Sequence, residues 1–94
     1  LLMYRAASVM DQGQPPTVEA AASKVYGTTF EQRLANVAFT LLGPYGNLTG
    51  GQSPLPADGF AAHSYLASKG YSLQAGSTEV LKNIIATRGL GLPA

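Results

Sequence analysis

The chain has 94 residues, 46% hydrophobic and 12% charged, with a net charge of +1 and no cysteine. That length allows one small domain burying about 60–65% of its unfolded surface, and a charge content well under the roughly 25% of soluble domains predicts helices packed on several sides, with apolar faces that need partners. Dispersed Lys and Arg exclude a phosphate-binding patch and so nucleic acid, absent cysteine excludes disulfides and thiolate metal sites and fits a reducing cytoplasm, and no apolar run approaches the roughly 20 residues of a membrane span.

Leu1-Leu2-Met3-Tyr4-Arg5 lacks the charged n-region and cleavage site of a signal peptide. There is no Met at position 1, so residues are expected upstream. Residues 1 to about 12 read as a helix, with Leu2, Ala6, Val9 and Met10 on one face. Without a start signal it resembles the second half of a longer helix. Gly13-Gln14-Pro15-Pro16 ends it, because proline cannot donate to the ladder and restricts the residue before it.

Thr17 is the expected N-cap of the next helix, with Glu19 favourably placed in its first turn. No proline interrupts the chain from there to Leu42. Tyr26, Phe30, Leu34, Val37 and Leu41 form one apolar stripe, widened by Ala22, Val25, Ala38 and Leu42, with Lys24, Glu31 and Arg33 off it or at its edge. Such a helix would be about 39 Å long, and Gly43-Pro44 supplies its stop.

Residues 43 to 57, rich in Gly and Pro, read as loop. Asp58 is the expected cap of a third helix running to about Gly70, with Phe60 and Leu66 facing inward and His63 and Ala67 as further candidates for that face. After a turn over 71–76, Ser77 or Thr78 caps a fourth helix carrying Val80, Leu81, Ile84, Ile85 and Arg88 at helical spacing, with Ile84 and Ile85 in the core. Gly89, Gly91 and Pro93 terminate it. No strand is predicted.

Three blocks, in order, resemble the C-terminal helical domain of the acyl-CoA dehydrogenase family. They are the Thr-capped start at Thr17–Lys24, the helix end Arg33-x-x-x-x-Ala-x-x-Leu-Leu-Gly-Pro-Tyr-Gly46, and the tail from Gly76 to Pro93, which contains Asn-Ile-Ile-Ala-x-Arg-x-Leu-Gly-Leu-Pro. The resemblance covers nearly the whole chain and is least close around residues 47 to 57. It implies an all-α, up-down helical bundle, incomplete, with residues 1–94 as a single partial domain. Full-length members add an N-terminal helical domain and a middle β-domain. They bind FAD between the subunits of a dimer or tetramer and oxidise acyl-CoA to 2,3-enoyl-CoA.

The resemblance further implies FAD contacts at Ser77, Thr78 and Glu79, in the turn before the last helix, and at Thr40, Leu42, Gly43 and Pro44, the helix end that reaches the adenosine half of the cofactor. Ala75 and Gly76 would lie at the acyl-CoA substrate. Implied partners are other subunits of a homo- or hetero-oligomer and an electron-transfer flavoprotein. Independently of the family, a helix N-terminus with free N–H groups after a glycine suits a polar or anionic ligand. Four departures stand out. Ala75 occupies the position where many members carry the catalytic Glu, so the base lies on an upstream helix, as in the isovaleryl-type members, or is absent. Ser77-Thr78 reverses the usual Thr-Ser, Thr40 replaces Gln, and Pro44 replaces Gly and removes an N–H donor.

The remaining candidates read as structural. His63, the sole histidine, is expected to be a satisfied or exposed helix residue rather than a general base. Asp11, Glu19, Glu31 and Asp58 have no acid–base spacing, the tyrosines share no single face, and Gly50-Gly51 precedes no helix start and so is no phosphate loop. The isolated 94 residues are expected to be inactive. The reading from a different class is a non-catalytic helical assembly module derived from the same architecture.

Overall fold

The computed structural model describes residues 1–50 and 56–93. The part of the expected loop at 51–55, with Gly51 and Pro54, lies outside the described residues. Every regular element among those described is helical. The chain divides into two compact units, Leu1–Gly27 with Ala75–Ala94 and Thr28–Gln74.

In the first unit, α1 (Leu2–Asp11) opens without a side-chain cap. It closes at Gly13, whose φ of 74° is left-handed. Gln14 N–H donates to Val9 C=O and Gly13 N–H to Met10 C=O, so the glycine satisfies carbonyls that the helix end would orphan. Helix α2 (Thr17–Leu42) follows. Thr17 is its first helical residue rather than its cap. Ala20 N–H donates to Pro16 C=O, which places the cap position on Pro16. A proline with no N–H to lose is well suited to precede a first turn whose N–H groups are unpaired anyway.

Helix α4 (Thr78–Ile84) starts at Ser77, and its last turn widens into a π-helical turn, Ile85–Gly89. Leu90 N–H reaches back to Ile85 C=O, and Leu92 N–H to Ala86 C=O, around a left-handed Gly91 (φ 68°). A Cβ on Gly89 would stand 3.0 Å from Val18 Cγ1, so this glycine lets the end of α4 close on the start of α2. Lys24 meets the other end of α4 through Gly76. The pairs 18 with 89 and 24 with 76 make α4 antiparallel to the first part of α2. Arg5 Nε donates to Glu19 Oε1 at 3.3 Å, an exposed pair of small energetic weight.

In the second unit, α3 (Phe60–Tyr71) runs antiparallel to the later part of α2. Gln32 Nε2 donates to Ser68 C=O at 2.9 Å, and the Phe39 and Tyr65 rings stand 4.7 Å apart. Two 3-10 turns, Gly43–Asn47 and Pro56–Gly59, pack at the α3 end of the unit. So part of the expected loop is helical. The cap of α3 is Gly59 at φ 75°, without a side-chain cap bond, and Asp58 lies in the turn before it. Gly50 passes so close to Gly59 that a Cβ on either would overlap backbone.

Burial departs most from the sequence expectation. The buried side chains are small: Ala21, Ala35, Ala61, Ala62 and Ser68. Small residues let helix backbones approach, and the large apolar residues then point elsewhere. The α2 stripe is exposed, from 54% at Val37 to 81% at Leu41. Phe60, Leu66 and His63 on α3 are exposed as well, not inward, while Ala67 is half-buried. Ile84 and Ile85 are half-buried rather than core. The residues expected only to widen the stripe, Ala22, Val25, Ala38 and Leu42, are the half-buried ones.

Candidate functional site

The turn ahead of α4 gathers Ala75, Gly76, Ser77, Thr78 and Glu79 in the first unit. Ala75 (φ 55°) and Gly76 (φ 104°) are successive residues in left-handed backbone. The alanine conformation costs about 1–2 kcal/mol. Gly76 escapes most of that cost because it has no Cβ. Ser77 returns to extended backbone (φ −66°, ψ 156°), and its Oγ accepts the Val80 N–H at 3.4 Å. Lys24 Nζ, on α2, donates to the Gly76 carbonyl at 3.2 Å.

Glu79 is fully exposed. Its own backbone N–H, then the Ser77 hydroxyl and the charge of Lys82, hold its carboxyl below the usual glutamate value, against the opposing effect of desolvation. It therefore stays an anion at neutral pH. This changes the electrostatic reading of the turn. Val80 N–H and Glu79 N–H already serve Ser77 and Glu79, and a fixed negative charge stands at the helix start. The α4 N-terminus thus offers an anion little. A neutral, hydrogen-bonding edge of a ligand suits it better.

The helix end at Thr40, Leu42, Gly43 and Pro44 belongs to the second unit. Thr40 Oγ1 donates to Asn36 C=O at 2.8 Å, which leaves the oxygen as an acceptor. Gly43 adopts φ 51°, and no heavy atom lies within 4 Å of where its Cβ would stand. Its glycine is required by backbone conformation and leaves the peptide open to approach. At this helix end the glycine needed for close packing is Gly46, where a Cβ would come 2.8 Å from Phe39 C=O.

An open apolar groove of about 620 Å³ lies between α2 and α3 in the same unit, lined by Leu34, Ala38, Leu41, Leu42, Phe60 and Tyr71 among others. Of the helix-end residues singled out in the sequence, Leu42 lines it. His63 and Glu31 belong to the same lining. The groove is not evident from the stripe alone, because it needs Phe60 and Tyr71 of α3 opposite Leu34 and Leu41 of α2. Among the described residues no group of three His, Asp or Glu gathers to hold a metal. No helix among them is long and apolar enough to cross a membrane.

Comparison with known proteins gives a family and a fold. The family described as acyl-CoA dehydrogenase, C-terminal domain, matches residues 1–90. The solved structure titled Tcur3481-Tcur3483 steroid ACAD superposes with a TM-score of 0.87 at 23% identity, covering 98% of this chain and 24% of that one. A glycine-to-alanine variant of that steroid ACAD gives 0.87 at 22% identity, with coverage of 99% and 24%. At such identities the likeness is one of fold. This chain spans 24% of the length of the structures it matches. No curated protein sequence matches it.

Proposed function

The chain belongs to the acyl-CoA dehydrogenase family through its C-terminal domain, and from that premise we propose that it is the C-terminal part of a FAD-dependent acyl-CoA dehydrogenase, contributing the rim of the flavin site and a subunit interface. The observation that carries this reading is the turn at Ala75–Glu79. It has two left-handed residues followed by a Ser-capped helix, and it is the turn for which the family resemblance implies flavin and acyl-CoA contacts. FAD, when bound, would take a hydride from the β-carbon of the acyl-CoA while a carboxylate removes the α-proton, leaving the 2,3-enoyl-CoA.

Each of the two patches, taken by itself, fits an uncharged part of the cofactor. In the first unit the turn offers the Ser77 and Thr78 hydroxyl groups, and in the second unit Thr40 offers an acceptor. Gly43 leaves its peptide open, and Leu42 and Pro44 supply apolar contact. Glu79, ionised and without a cation directed at a ligand, does not fit a pyrophosphate. Other parts of the protein would hold that group. Ala75 carries no proton acceptor, so this chain orients and encloses while the base comes from an upstream helix. The substrate is a fatty or related acyl-CoA, the assembly a homo- or hetero-oligomer, the electron acceptor an electron-transfer flavoprotein, and the compartment cytoplasmic.

The test is bound flavin per subunit in the full-length protein and in its Gly76→Leu variant. Leucine cannot hold φ near 104° without strain, and its side chain would meet Leu81. Flavin content should drop several-fold, on the order of the 1–2 kcal/mol that left-handed backbone costs an L-residue. Unchanged content would place the flavin elsewhere. A second reading, a non-catalytic assembly module, is favoured by Ala75 together with the exposed α2 stripe. A full-length protein that binds no flavin would select it.

A further inference from the structure

We draw no further inference here: the strongest candidate, the open apolar groove between α2 and α3 walled by Leu34, Leu41, Phe60 and Tyr71, is an unpartnered face, and nothing in the structure shows what covers it.

Discussion

A cap at Ser77 or Thr78 is legible in the sequence, since a hydroxyl residue after glycine and before an apolar helical run suits that role, and the structure gives it to Ser77, whose Oγ accepts the Val80 N–H. Its neighbour Glu79 carries a pH consequence. A carboxyl whose folded value lies below its ordinary 4.5 adds stability above that pH and loses it as pH falls through the folded value. Glu79→Gln should therefore lower stability slightly near pH 7 and flatten the acid limb below about pH 4.5, so that variant and wild type converge at low pH, as followed by circular dichroism. Gly27 is the residue that sequence reasoning passed over. It sits inside α2, and nothing lies within 4 Å of where its Cβ would stand. Gly27→Ala should stabilise the protein by about 0.5–1 kcal/mol in denaturant unfolding. A loss of stability instead would mean that a neighbour outside this chain presses on the helix there. Lys24 was read only as a charge at the edge of a stripe, because a bond across 52 residues leaves no mark in local spacing.

Elements were legible where their signals are local. The stops at Gly13 and Gly43 and the uninterrupted α2 follow from glycine's left-handed backbone and the absence of proline between residues 17 and 42. The caps at Thr17 and Asp58 were each off by one residue, because a proline and a left-handed glycine took the position without any side-chain bond. The 3-10 turns were hidden by their composition. Gly and Pro mark irregular backbone without saying whether it folds back on a helix. Gly50 and Gly59 make the point testable. Gly59 has φ 75° and would place a Cβ 2.4 Å from Gly50 N. Gly59→Ala must move backbone rather than a flexible side-chain tip, and it should cost more than about 2 kcal/mol. Hydrogen exchange should show the loss first in α3. A variant as protected as wild type would mean that the crossing is looser than described.

At the scale of the molecule, the periodicity that revealed α2 did not reveal what covers it. Tyr26, Phe30, Leu34, Val37 and Leu41 repeat as a core face should, yet each is more than half exposed, while alanines line the helix contacts. A stripe reports that a face needs burial. Nothing among the described residues covers it, and the matched structures are about four times as long as this chain. Each fully buried large apolar side chain is worth about 1.5–3 kcal/mol, so five exposed ones on α2 leave a driving force comparable with the whole stability of a small domain. The isolated 94 residues should therefore self-associate at micromolar concentration, and the association should weaken when Leu34 and Leu41 are replaced by Glu. They should also fail to hold FAD, because the turn at Ala75–Glu79 and the helix end at Thr40–Pro44 would each supply only part of its contacts. Sedimentation velocity and titration of flavin fluorescence read both outcomes on one sample. A well-folded monomer would mean that the exposed faces tolerate water as they are. Saturable, tight flavin binding by the fragment would mean that these residues form a complete site, and the rim assignment would be wrong.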